Sequence, residues 1–197
     1  MESIIFNELS KRAYKCACEH GFHNEERSNE HWLCLVVSEL MEAVEADRKR
    51  KRFKGNKNKF EKEYNRYPAL VEEQKRFACA FEKYVKDTVE DELADSAIRL
   101  FDLAGLRGIT INDFSEEEIY ESTESCNGET FTESIYNIAT IPVRFEYEYG
   151  YSFGKQLNSM LLGVIGLSNY MGIDLLWHIE RKMEYNELRP KMHGRKY

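Results

Sequence analysis

Two acidic pairs constrain this chain more than any other feature: Glu39 with Glu42 in SELMEAVEADR, and Glu92 with Asp95 in DTVEDELADSAIRLFDLAG. On an α-helix, positions three apart project from one face about a turn apart, so each pair can aim two carboxylates at one point. Both stretches have helical apolar periodicity, with Leu33, Val37, Leu40 and Val44 in the first and Leu93, Ala97, Leu100, Phe101 and Ala104 in the second. The acids fall beside those stripes, Glu39 and Glu42 near Ala43 and Ala46, and Glu92 and Asp95 near Arg99 and Asp102. Packed together, the two helices would gather four carboxylates at the edge of a core, where they repel one another unless a cation joins them. Oxygen-only ligands suit a hard cation, Mg²⁺ first and Mn²⁺ in its place. Either pair alone is also what an ordinary solvated helix carries.

The rest of the chain can supply such a bundle. Its 197 residues suffice for one domain with length left for an insertion, and only three prolines interrupt the pattern, so long helices are allowed. The net charge of −7 disfavours nucleic acid as a partner but hides local extremes. Residues 115 to 133 carry seven glutamates and no Lys or Arg, whereas residues 181 to 197 carry six Lys or Arg against two glutamates. No signal-peptide order and no apolar run long enough for a membrane helix are visible, so a cytoplasmic protein is expected. Five cysteines without a Cys-x-x-Cys read as reduced thiols, mostly buried or incidental, and the histidines show no zinc-ligand spacing.

In order, Ile5, Leu9 and Ala13 mark a first amphipathic helix, ended by Gly21; Ser28 or Asn29 then caps the helix that bears Trp32 and the first acidic pair. Trp32 reads as core, with stacking on a nucleobase as its functional alternative. The basic run Arg48, Lys49, Arg50, Lys51, Arg52 and Lys54 suits a helix C-terminus or a phosphate contact. Residues 56 to 67 form a loop or short helix, and Val71, Phe77, Ala80, Phe81 and Tyr84 lead as one helix or two toward the second acidic motif. Gly105 and Gly108 close that helix. A surface excursion from 112 to 133 is followed by a helix broken near Pro142, and Phe145 to Phe153 forms a helix junction or an extended piece. Leu157, Met160, Leu161, Val164 and Ile165 make a central apolar helix. Asp174 caps the last one, where Lys182, Tyr185, Asn186 and Arg189 fall at i, i+3, i+4 and i+7 as one face able to meet a triphosphate or to make surface ion pairs. No Gly-rich phosphate loop is present.

The two acidic helices, with the tail KMEYNELRPKMHGRKY, resemble the motifs of the MazG-like, all-α NTP pyrophosphohydrolases, over roughly residues 28 to 48, 86 to 107 and 174 to 197. This chain departs from that pattern at Ser38, where many members carry a further glutamate, and in the long stretch 49 to 85 between the motifs. The resemblance implies a single all-α domain over residues 1–197, a helical bundle with an insertion between its two metal-binding helices, assembled as a homodimer or homotetramer. It also implies Mg²⁺-dependent hydrolysis of a nucleoside triphosphate to the monophosphate and pyrophosphate. Glu39, Glu42, Glu92 and Asp95 would hold the metal, Glu39 or Glu42 would take a proton from the attacking water, and Lys182, Tyr185, Asn186, Arg189 and Trp32 would bind substrate. A catalytically silent helical binding protein is one alternative. A di-metal carboxylate oxidoreductase is another, although the Glu-x-x-His pairs it expects are absent.

Overall fold

A computed structural model describes residues 3–53, 57–68 and 70–194; Lys54 of the basic run and the last three residues of the tail lie outside them. The described residues form ten α-helices and a closing 3-10 turn, with no strand. The helices are α1 (Ser3–Glu19), α2 (Asn29–Arg48), α3 (Lys57–Tyr64), α4 (Glu73–Tyr84), α5 (Val89–Arg107), α6 (Glu116–Glu124), α7 (Phe131–Ala139), α8 (Ile141–Tyr147), α9 (Phe153–Tyr170) and α10 (Leu175–Glu187). No single described helix is long and apolar enough to cross a membrane.

Most helix starts are set by local chemistry. Ser28, Thr88, Ser115, Thr130, Ser152 and Asp174 each accept a backbone N–H of the following first turn, and at Ser115 and Thr130 a glutamate three residues on completes a capping box. Thr88 divides the region before the second acidic motif into two helices. Pro142 sits in the first turn of α8, where its missing N–H costs nothing, so the break near it starts a helix.

Helix α5 is the axis, packed against α1, α2, α9 and α10. Its side chains from Val89 to Ala104 are nearly all buried, polar ones included, so it is a central helix rather than an amphipathic one. Gly105 does not end it. A Cβ there would meet Tyr14 Cβ at 2.6 Å, so this glycine lets α1 lie close, and the helix stops at Gly108 in the left-handed conformation (φ 62°).

On α2 the buried stripe is Trp32, Val36, Glu39, Leu40, Ala43 and Ala46, rotated from the expected one; Leu33, Val37 and Val44 are half-buried. Alanines pack inward because α5 comes close. In α1, Phe6 takes the core position and Ile5 is exposed. The acidic stretch after α5 is ordered as α6 against α9, joined where Ser122 Oγ donates to the carbonyl of Leu162 at 3.0 Å. Three of the five thiols, all free, are exposed, and only Cys126 is buried.

The insertion has an apolar cluster of its own. Phe53, Phe60, Phe77, Ala80, Phe81 and Val85 pack together and reach α10 through Tyr185 and Trp177. Tyr185 stacks on Phe81 with ring centres 4.4 Å apart and donates to Glu82 Oε1 at 2.7 Å. The insertion thereby takes up Tyr185, one of the four α10-segment residues from which a phosphate-facing surface was expected.

Candidate metal centre

Helices α2 and α5 bring Glu39, Glu92 and Asp95 together, with one carboxylate oxygen from each within 4.8 Å of the others. Glu39 and Glu92 are buried and Asp95 is half-buried, so the trio opens toward solvent on the Asp95 side. Glu42, expected as the fourth ligand, is exposed and lies outside this group. The rotation of α2 explains the difference, since turning Glu39 into the core carries the position one turn on toward water. Burial is the largest influence on the two enclosed glutamates. It pushes Glu92 up to about 9 and, with Asp95 beside it, Glu39 up to about 7.

Two cations and a further acid complete the cluster. Lys182 Nζ is 2.9 Å from Asp91 Oδ2 and 3.0 Å from Asp95 Oδ2, and its side chain is buried along with Asp91 while Asp95 is half-buried. Arg99 Nε donates to Glu39 Oε1 at 2.5 Å. Asp91 is fully buried, accepts the backbone N–H of Asp87 at 2.9 Å, and burial pushes it up to about 6. The three neighbouring carboxylates hold Lys182 firmly protonated despite its burial. With every acid ionised, Asp91, Glu39, Glu92 and Asp95 outnumber Lys182 and Arg99 by two charges, the charge of one divalent cation. An all-carboxylate set of this kind fits Mg²⁺ or Mn²⁺.

Asp95, the half-buried member of the trio, lines a cleft of about 80 Å³, open on one side, between α1, α2, α5 and the end of α10. Asp95, Arg99 and Asp102 line its floor, Trp32, Phe22, Ile98 and Met183 give it apolar walls, and Asn186 and Arg189 stand at its rim. Two buried polar atoms at this cleft, the indole Nε1 of Trp32 and Oδ1 of Asn186, have no hydrogen-bond partner among the described residues. Behind Trp32, His23 packs edge-on at 4.9 Å and places Nε2 2.7 Å from Asp102 Oδ1. Burial pushes Asp102 upward, and His23 opposes that shift.

The expected face of α10 is therefore divided. Lys182 enters the acidic centre, Tyr185 joins the insertion's cluster, and Asn186 and Arg189 turn to the cleft. Arg189 lies beyond the helix, where its carbonyl is 2.9 Å from His20 Nε2 and the backbone N–H of Met192 donates to the His20 carbonyl at 2.9 Å. Sequence reading missed Asp91 as the partner of Lys182, and His23 as the partner of Asp102. The Glu-Asp-Glu run 90–92 just after a Thr cap was the available signal for the first; the second joins residues 79 positions apart and left no local trace. Described protein families, curated proteins and solved structures offer no match to this chain.

Proposed function

We propose that the chain hydrolyses a nucleoside triphosphate to the monophosphate and pyrophosphate with a divalent cation bound at Glu39, Glu92 and Asp95. The observation that carries this reading is Asp95, which belongs both to the carboxylate trio and to the wall of an aromatic-lined cleft, where Trp32 and Asn186 each carry a buried polar atom without a partner among the described residues. A planar ring with polar edges would stack on the apolar walls, and a small shift of Trp32 or Asn186 toward it would let their unpartnered atoms make the hydrogen bonds whose absence is costly. Bound there, the cation would supply Lewis acidity toward phosphate oxygens and a more acidic water.

The chain's own residues do the rest. Trp32 and Asn186 orient the base, and the walls exclude water from it. Arg189 and Arg99, both at the cleft, supply charge for phosphate oxygens near Asp95. Lys182 keeps Asp91 and Asp95 in place and is a positioning residue rather than a phosphate ligand. Glu42, exposed one turn from Glu39, suits the role of proton acceptor, because the Glu39 carboxylate already accepts from Arg99. Oligomeric assembly belongs to this same reading.

A panel of nucleoside triphosphates with Mg²⁺, read by pyrophosphate release and product mass, tests the proposal. Release is expected with at least one nucleotide and is abolished by excess chelator. Trp32→Ala should raise KM at least tenfold with a smaller change in kcat, the pattern of lost substrate binding. No release from any member of the panel would refute the reading.

A further inference from the structure

A second charged site lies on the insertion, away from the cleft. Residues 48 to 62 hold nine Lys or Arg and one carboxylate, whereas the rest of the chain carries 19 cations against 34 carboxylates. The fold gathers part of this surplus. A groove of about 240 Å³ is lined by Lys51 and Arg52 after α2, Lys59 of α3, Lys83 of α4, and Lys86 ahead of α5, with Phe53 and Tyr84 as its apolar parts.

Local ion pairs do not use up this charge. Lys51 pairs with Asp87 at 3.0 Å and Lys83 with Glu63 at 2.7 Å, while Arg52 lies 3.1 Å from Glu90. Lys59 and Lys86 are exposed and enter no ion pair among the described residues. Glu82, the one carboxylate on the groove wall, accepts from the hydroxyl of Tyr185. The Lys51–Asp87 pair is largely exposed and holds Lys51 weakly, so a denser anion can displace Asp87. Five cations from four segments around one concavity match an anion with several charges in a short length. A long polyanion would run out of the groove onto a surface with excess negative charge, where it is repelled.

We infer that this groove binds a compact phosphoanion, either free polyphosphate or the polyphosphate tail of a nucleotide, without a metal. This inference does not depend on the hydrolytic reading. Titration calorimetry of the full chain with tripolyphosphate in excess EDTA tests it, because without metal the acidic centre repels the same anion. Binding is expected, weakening severalfold as salt rises from about 50 to about 300 mM. Lys59→Glu with Lys86→Glu should weaken it at least tenfold. Lys11→Glu with Lys15→Glu, an equal charge change on α1, should alter it less than threefold. If the charge reversal unfolds the chain, Lys59→Gln with Lys86→Gln gives the same comparison at smaller amplitude. ATP binding as tightly as tripolyphosphate supports free polyphosphate as the source, and tighter ATP binding that is lost in Tyr84→Ala supports a nucleotide. Absence of binding by the unmodified chain, equal losses in the two charge-reversed variants, or tighter binding of a single-stranded oligonucleotide than of tripolyphosphate would each overturn the inference.

Discussion

Lys182 shows how much a side chain's role depends on where its helix is pressed. Its spacing with Arg189 suggested a cation offered to substrate, but its ammonium is held between Asp91 and Asp95. Removing it leaves Asp91 buried without a counter-charge, so Lys182→Met should cost about 3 to 5 kcal/mol in denaturant melts, and Asp91→Asn in the same chain should recover part of that. Asp95→Asn should cost less, about 1 to 2 kcal/mol, because Asp91 still holds the ammonium. Glu92, pushed up to about 9 chiefly by burial, predicts a second effect. A carboxyl with a raised folded pKa binds its proton more tightly in the native state than in the unfolded one. Metal-free stability therefore falls as pH rises from the unfolded value of about 4.5 toward 9. A cation bound by Glu92 and Glu39 must displace the protons they carry, so Mg²⁺ binding at neutral pH should release between about one and two protons and tighten with pH. Calorimetry in buffers of different ionisation heat measures this, and zero protons released would remove Glu92 from the ligand set.

Among the helices, starts were readable and faces were not. Ser28 and Asp174 cap where their chemistry suggested, because a cap is satisfied within four residues. The buried side of α2 was misassigned because Leu33, Val37 and Val44 are its larger apolar residues, whereas the close approach of α5 selects Ala43 and Ala46. Glu39 and Glu92 were found as a pair of motifs, but the displacement of Glu42 follows from that same rotation and could not be read from spacing. The α6–α9 crossing was likewise hidden, since its warrant is a glycine in a helix interior. A Cβ at Gly166 would sit 2.6 Å from the backbone carbon of Ser122 and closer still to its hydroxyl oxygen. Backbone cannot move aside as a flexible side chain can, so Gly166→Ala should destabilise by about 1 to 3 kcal/mol or more despite its better helix propensity. Thermal melts compared with Gly108→Ala, whose Cβ meets no atom within 4 Å but whose φ is left-handed, separate steric from conformational cost.

Across the whole molecule, the all-helical architecture was legible from periodicity and the scarcity of proline, whereas the second apolar cluster was not, because it joins Phe53, Phe77 and Tyr185 from distant segments. That junction contains His178, packed edge-on against Phe53 at 4.8 Å and Trp177 at 4.8 Å, and burial pushes it down to about 4. A histidine depressed in the folded state favours folding above its unfolded value near 6.5, and that contribution is lost as pH falls toward 4. The loss reaches about 3 kcal/mol, opposite in sign to the effect of Glu92. Urea melts at pH 7 and pH 4 should show His178→Gln losing less stability on acidification than the unmodified chain; an equal loss would place the acid sensitivity elsewhere.

Helix α5 is enclosed by neighbours along most of its length and carries Glu92, Asp95, Arg99 and Asp102 in succession. Its amide protons from Leu93 to Ala104 should therefore exchange with deuterium only through global opening, while those of α1 and the segment after α10 exchange through local fluctuations. A ligand entering the cleft would meet one unyielding wall and two that can breathe. Binding should then slow exchange at Ala13, Ala17 and Asn186 by damping local fluctuations and slow α5 only by the added global stability, so the timing of entry and release would belong to the chain's outer helices, not to the helix that holds the acids.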